Sequence, residues 1–391
     1  VLDFGRVLSA PWATQLLGDL GAEVIKIERP GSGDDARFYG PHSVRDAEGR
    51  PTPNAAIFMS ANRNKQSIVL DLSAGEGRET ALALAACCDI LVENFIPGAM
   101  DRLGLGYEAV KAVRPDIIYC SVSGYGQTGP KRGLPGYDAV FQAEAGMMAI
   151  TGRPDPEPGA GPMKTGPSLV DVASGLYASS AILAALHHRS RSGEGQHIDV
   201  SLLETAIAMQ SGHPQNYLLS GEQPQRLGNE GNGGHPARTF DCSDGVIYIS
   251  AGGTAHFHRL CDALEAGEIR DRPDYQTPLG RHAARTRINA VLEPLVARWS
   301  SEALESRLRD AGVPCAVVRS YKETFALDQV QARGVLFELP HPVAGSGVVS
   351  LIGAPIRMSG SPLSYRSAPP VLGQHTGEVL QRLSNGEMDR T

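Results

Sequence analysis

The feature that most constrains this chain is a repeated change of hydrophobic period over its first 123 residues. Residues 1–4 form a short apolar run. Trp12, Leu16 and Leu20 then recur every four residues, with Pro11 in the first turn and Gly21 just past the end. That is the punctuation of a helix. Val24, Ile25 and Ile27 make a compact run within residues 22–28, stopped by Pro30-Gly31. A helical pattern over 76–88 leads into an apolar, β-branched run at 89–95, stopped by Pro97-Gly98. A third passes through 107–113 into 116–123 and empties into a Gly-rich loop at 124–136. Strands that alternate with helices and are apolar on both faces predict a doubly wound α/β sheet. In such sheets ligands bind beyond the carboxyl ends of the strands. Here those ends are 28–35, 93–98 and 123–138, rich in Gly, Asn, Arg and aromatic residues.

Further along, residues 137–150 read as a helix, 151–167 as a Pro/Gly loop, and 169–188 as a long apolar helix. A strand at 196–200 and a helix to about 220 follow. The polar, Gly-rich stretch 221–236 reads as a linker or active-site loop. A smaller α+β domain then carries a strand at 245–251 and helices at 255–266 and 281–299. The tail begins with a strand at 314–319 and ends in a helix at 376–383. The length of 391 residues is compatible with two or three domains.

Charge and cysteine content narrow the function. The 43 acidic residues exceed the 36 basic ones, giving a net −7, which argues against a protein that grips a phosphate backbone. Apolar stretches such as 81–88 and 181–186 are short of the ~18 residues of a membrane span. The chain opens without a basic-then-apolar leader, so no signal peptide is expected. Six scattered cysteines without a C-x-x-C pair fit a reducing cytoplasm better than a disulfide framework. The 45 glycines exceed the usual share of roughly 7% and call for a reason.

Asp171 is the first chemical candidate. It opens the most apolar helix, in Ser168-Leu169-Val170-Asp171. One reading is an S-x-x-D helix cap, with the carboxylate at the positive end of the dipole. The other is a carboxylate nucleophile, set after a flexible loop and beside Ala173, Ser174 and Gly175, small enough to let substrate approach. Other patterns carry less. Gly104-x-Gly106 follows a helix and so lacks the dinucleotide context. Ser123-Gly124 is no nucleophile elbow. His256-x-His258 and His187-His188 have no third ligand for a metal. Arg29, Lys65 and Arg102 lie near strand ends where cations hold phosphates, although each alone also reads as surface charge.

Taken together, several motifs make the chain resemble the class III (CaiB/BaiF-type) CoA-transferase family. They begin with Asp19-Leu20-Gly21-Ala22-Glu23-Val24-Ile25-Lys26-Ile27-Glu28-Arg29-Pro30 and Asn62-Arg63-Asn64-Lys65. Glu93-Asn94-Phe95-x-Pro97-Gly98 with Arg102-Leu103-Gly104 follows. Next come Ser123-Gly124-Tyr125-Gly126-Gln127-Thr128-Gly129-Pro130, Gly136-Tyr137-Asp138 and Asp171-x-x-x-Gly175-Leu176-Tyr177-Ala178. The last is Leu372-Gly373-Gln374-His375-Thr376. The order holds over essentially the whole length, and the likeness is greatest to the branch acting on dicarboxylates such as succinate and hydroxymethylglutarate.

The resemblance implies an interlocked homodimer whose Rossmann-like large domain is built from both ends of the chain. The expected boundaries are 1–200 for the large domain, 201–225 for a linker helix, 226–315 for the small domain, and 316–391 for a linker and the rest of the large domain. It implies that Asp171 is the nucleophile, with CoA and acyl-CoA as substrates and no permanently bound cofactor. The helix amides are expected to lower its pKa and keep it nucleophilic. CoA contacts are expected at Leu8, Ser9, Arg29, Leu70, Asp71, Leu72, Ser73, Asn94, Phe95, Ile96, Arg102, Pro135, Gly136, Tyr137 and Asp138. Arg29 and Arg102 would pair with phosphates, and Gly231, Asn232, Gly233, Gly234 and His235 would form a loop over the reactive intermediate. Arg226, His235 and Arg238 are candidates for a substrate's distal carboxylate. Leu8 and Pro135 replace the Gln and Lys of formyl-CoA transferases, against formyl or oxalyl chemistry. A racemase on the same fold would need a His where Tyr137 stands, and a non-catalytic CoA-binding protein would not need Asp171.

Overall fold

The structure, a computed structural model, describes residues 1–388 apart from 156 and 232. It is a mixed α/β protein that divides into two compact units. The first unit comprises residues 1–147, 164–222 and 329–391, and the second 148–163 and 223–328.

The first unit is built on a six-stranded parallel sheet. Its strands are β1 (Leu2–Asp3), β2 (Val24–Glu28), β3 (Lys65–Val69), β4 (Ile90–Glu93), β5 (Ile118–Ser123) and β6 (Gln196–Ser201). The spatial order is β3-β2-β1-β4-β5-β6. The chain thus winds outward from β1 in one direction and from β4 in the other, leaving a crevice between them. Alternation within the strands supplies both faces. Leu91 and Tyr119 join Leu2, Ile25 and Ile68 in one core, while Ile90, Val92, Ile118 and Cys120 join Ala13, Leu17 and Phe141 in the other. The second face is covered by α1 (Ser9–Asp19) and by the 24-residue helix α5 (Leu169–Ser192). The first carries α2 (Gly75–Cys87) and α3 (Tyr107–Val113), and α4 (Asp138–Glu144) follows the loop after β5. By length and composition α5 could cross a membrane. Here Val170, Ala178, Ile182 and Ala185 bury one of its faces against the second core.

Strand β3 carries no apolar signal at its start, because Lys65 and Ser67 are buried by pairing instead. The Lys65 ammonium sits 2.9 Å from Asp3 and also reaches the Pro11 carbonyl and Asn62. It is therefore a core group and not a surface charge. Burial pulls its pKa down to about 8 while the Asp3 carboxylate opposes that shift. The Asn62–Lys65 motif is architectural. Arg63 pairs with Asp19, and Asn64 accepts from the Arg366 and Ser367 amides. The open edge of β3 is closed by the Leu372–Thr376 motif. Its His375 ring accepts from the Ser67 amide at 3.2 Å and Thr376 Oγ1 from Val69 at 3.0 Å. Both ends of the chain thus build the first unit.

The helix expected at 137–150 is broken. It ends at Glu144 and resumes at Met147–Ile150, with Gly146 at φ +80° between. The helix expected over 281–299 is likewise split between Pro278–Ala283 and Arg285–Val296.

The second unit holds a three-stranded antiparallel sheet of β7 (Ala237–Asp241), β8 (Val246–Ser250) and β9 (Cys315–Val317), with β8 central. Helices α6 (Thr254–Leu264), α7 (Arg285–Val296) and α8 (Ser301–Asp310) cover it, and Phe240, Ile247, Ile249, Phe257, Leu260 and Ile288 fill the core.

Candidate active site

The crevice between β1 and β4 opens into a cleft of about 300 Å³. Arg29, Leu70, Asp71, Leu72, Ser73 and Phe95 line it, so six of the residues expected to contact CoA come together there. Gly5 and Arg6, from the β1–α1 loop, form another wall, with Lys26 and Glu28 on the floor. Phe95 presents its ring to the Arg6 guanidinium at 5.7 Å. Asp71 folds its own turn by accepting from the Ser73 amide at 2.9 Å and hydroxyl at 2.6 Å. Arg29 is not idle: it pairs with Asp35, as Arg6 does, and donates to Ser32 Oγ at 2.6 Å. Arg102 is exposed, lies beside Gly98, and has no ion-pair partner among the described residues.

A second group gathers around Asp171, and the Gly5–Ser9 loop joins it to the cleft. Asn94 grips that loop by accepting from the Arg6 amide and donating to its carbonyl, both at 2.8 Å. Lys26 donates to the Gly5 carbonyl at 2.5 Å, and Asp34 accepts from the Val7 amide at 3.0 Å. Val7 is held at φ +64°, a costly place for a β-branched residue. These clamps fix the buried Leu8 and Ser9 where α1 begins. Ser9 Oγ accepts from Asn94 Nδ2 at 3.4 Å, and its hydroxyl is near enough to favour the ionised Asp171 carboxylate.

The start of α5 differs from the S-x-x-D cap reading. Ser168 makes no side-chain cap. Instead Asp138 Oδ2 accepts from the Val170 amide at 2.7 Å and the Asp171 amide at 3.1 Å, while its Oδ1 takes Gln142 Nε2. The amides expected to lower the pKa of Asp171 are therefore spent on Asp138. Burial, followed by the charge of Asp138, raises Asp171 to about 7 against the hydrogen bond from Ser9. The expected lowering is reversed.

The small residues after Asp171 serve packing. A Cβ on Gly175 would lie 2.7 Å from the Ser9 carbonyl oxygen and 3.0 Å from Trp12 Cβ. Gly175 is thus the point where α5 rests on α1, and this contact keeps Ser9 beside Asp171. Gly136 lies flat on the Phe141 ring, too close for any side chain. Pro135 and Tyr137 are exposed on either side, with Tyr137 near Tyr39. Ile96 is exposed as well.

Gly231, Gly233, Gly234 and His235 belong to the second unit, and Asn232 lies outside the described residues. Gly231 donates to the Ala237 carbonyl at 2.8 Å, and Gly234 crosses the Gly252 backbone. His235 is buried, bonded to Asn289 Oδ1 at 2.8 Å, and pulled down to about 4 by burial, hence neutral. Arg226 pairs with Asp155, and Arg238 with Glu293 and Glu230. All three candidates for a distal carboxylate are therefore engaged within their own unit. Among the described residues no group of three His, Cys, Asp or Glu side chains is placed for a metal.

A cleft at the switch point of a parallel sheet is thus joined by one clamped loop to a carboxylate at a helix start. The pattern characteristic of CoA-transferase family III matches residues 1–376, and the chain belongs to that family and is a CoA-transferase. It is 39% identical to the succinate–glutarate CoA-transferase of Agrobacterium fabrum, over 100% of this chain and 96% of that one. It is also 39% identical to human succinyl-CoA:glutarate CoA-transferase, over 98% and 84% of the two chains. A CAIB/BAIF family crystal structure from Brucella suis superposes with a TM-score of 0.86 at 38% identity, covering 98% of this chain and 97% of that one.

Proposed function

We propose that this enzyme moves CoA from an acyl-CoA thioester, succinyl-CoA in the first instance, to a free dicarboxylate through covalent intermediates on Asp171. A carboxylate oxygen of Asp171 attacks the thioester carbonyl, the C–S bond breaks, and CoA leaves as the thiolate, giving a mixed anhydride. The thiolate attacks the aspartyl carbonyl, and the bond between the aspartyl carbon and the bridging oxygen breaks. The donor leaves as its carboxylate, and Asp171 is left as a CoA thioester. The acceptor carboxylate then runs the two steps in reverse, regenerating Asp171. Each step exchanges one activated acyl group for another, so exclusion of water conserves the thioester energy.

The observation that carries this reading is the setting of Asp171. It meets a hydroxyl from Ser9 and a capping carboxylate from Asp138, and nothing described pairs it in a permanent ion pair. The succinate and glutarate named for the relatives support dicarboxylate substrates. The 2-methylacyl-CoA racemase reading finds no support, because Tyr137 occupies the place of the needed His. Replacing Asp171 with Ala is expected to abolish CoA exchange between succinyl-CoA and glutarate while leaving CoA binding intact. Exchange that survives in that variant would remove the proposal.

The reading includes a homodimer acting in the cytoplasm without a resident cofactor. Exposed Leu176, Tyr177 and Leu183 on α5, together with Leu218 and Leu219 on Gly212–Ser220, support a self-association surface. Light scattering on the purified protein tests it, and a monomer at micromolar concentration would count against it.

A further inference from the structure

Glu93 ends β4 immediately before Asn94 and Phe95, yet its side chain points away from the cleft. It is buried, and Oε2 accepts from the Phe95 amide at 2.7 Å. Across the sheet it meets Ser121, its register partner on β5, whose hydroxyl is near enough to favour the ionised Glu93 carboxyl. The same Ser121 Oγ lies 2.9 Å from His197 Nε2 on β6. The His197 ring stacks on Tyr107 at 5.1 Å and meets the edge of Tyr119, and it remains open to solvent. Three neighbouring side chains thus lead from an exposed imidazole to a buried carboxyl. That carboxyl holds the backbone of the residue forming one wall of the cleft. All three line a separate cavity of about 200 Å³ on the far side of β4 and β5.

We propose that Glu93, Ser121 and His197 form a proton wire that couples protonation of Glu93 to the placement of Asn94 and Phe95, and so to the hold of the cleft on CoA. The coupling to CoA rests on the function proposed above; the wire itself does not. The line has two self-consistent polarities. With Glu93 ionised, His197 Nε2–H donates to Ser121, Ser121 donates to the carboxylate, and Oε2 receives the Phe95 amide at full strength. When Glu93 takes one proton from solvent, the carboxyl donates to Ser121 and Ser121 donates to His197 Nε2. His197 then carries its own proton on Nδ1, and the acceptor facing Phe95 weakens.

The charges around the wire favour switching near neutrality. Burial raises Glu93 to about 7, helped by Asp101 from the turn after β4 and Asp199 from β6, against the bonds from Ser121 and Phe95. The buried Tyr119 and Cys120 on β5 stay neutral, pushed up by burial and by Glu93. Burial lowers His197 from the usual imidazole value, so it is neutral when Glu93 titrates, although Asp199, Asp101 and Glu108 oppose that shift.

The test reads the wire first and CoA second. Nitrogen-15 NMR of histidine-labelled protein, with His197 assigned by its loss in His197→Gln, reports the ring tautomer between pH 6.5 and 8.5. The expected result is a change from Nδ1–H to Nε2–H as pH rises, absent in Glu93→Gln and in Ser121→Ala. One unchanging tautomer in the wild type, or a change that persists in Glu93→Gln, overturns the wire. CoA dissociation constants at the two pH limits are compared as a wild-type to Glu93→Gln ratio, which cancels titration of CoA itself. The wild type is expected to gain several-fold in affinity over the variant as pH rises, and an equal ratio at both limits overturns the coupling. A wild type that binds no CoA at either pH refutes the functional reading, and the tautomer result still decides the wire.

Discussion

Asp138 takes the first free amides of the helix that bears Asp171: its Oδ2 accepts from Val170 at 2.7 Å and from Asp171 itself at 3.1 Å. A carboxylate at a helix start usually draws its stabilisation from those N–H groups. Here one acidic residue occupies them and leaves the other beside its charge. Burial and that neighbouring charge raise the pKa of Asp171, a familiar way to prepare a carboxyl for chemistry.

The pH profile follows directly. Attack requires ionised Asp171, so kcat/KM, which reports the free enzyme, is expected to fall on the acid side with an apparent pKa near 7. Below that value it should drop about tenfold per pH unit. An acid limb near 4 would show that Asp138 does not act on Asp171 as described.

Replacing the cap separates its charge from its hydrogen bonds. In Asp138→Asn an acceptor for the helix amides remains, but the negative charge is gone. The acid limb should move to lower pH, with stability reduced by about 1 kcal/mol for the imperfect cap. A limb that stays in place would assign the shift to burial alone.

The same group makes a stability prediction whose sign is fixed by linkage. The folded pKa of Asp171 lies above its ordinary value of 3.8, reaching about 7. Between those values the folded state binds more protons than the unfolded chain, so this residue's contribution to stability is lost as pH rises through 7. Asp171→Asn removes the penalty. Its Tm should exceed that of the wild type at pH 8, and the gap should shrink toward pH 5. Differential scanning calorimetry at the two pH values reads it.

Gly175→Ala probes the contact between α1 and α5. The new methyl would press on the Ser9 carbonyl and Trp12, costing about 1–3 kcal/mol by overpacking. Because Ser9 moves with α1, kcat should fall more than KM rises for acyl-CoA. Unchanged kinetics at reduced stability would detach the packing from the chemistry.

In the proposed function the nucleotide of CoA is held by cations already in use. Arg29→Ala should raise KM for acyl-CoA about 10- to 100-fold, as loss of a charged hydrogen bond predicts, with kcat nearly unchanged. A fall confined to kcat would place Arg29 outside the nucleotide site.

Much of this was legible in the sequence, for identifiable reasons. The winding of the sheet was readable because β1, β2, β4 and β5 are each followed closely by Gly or Pro, and Asp171 stood out because it opens the most apolar helix. Strand β3 was hidden because Lys65 and Ser67 are buried by bonds to Asp3 and Glu28, residues 62 and 39 positions away, which no local hydropathy pattern registers. Asp138 was identified by resemblance as a CoA contact, but its capping of a helix 33 positions on has no sequence signal. Small residues after Asp171 looked like room for substrate, when Gly175 in fact serves helix packing. The wire through Glu93 was missed because its members sit on three neighbouring strands, far apart in the chain.

The most direct measurement concerns the covalent state of Asp171. The enzyme is incubated with succinyl-CoA without an acceptor, quenched in acid, digested and mapped by mass spectrometry. The account predicts a CoA thioester on the peptide containing Asp171, discharged on prior addition of glutarate and absent in Asp171→Asn. An unmodified Asp171 peptide, under conditions where the same enzyme turns over, would contradict it.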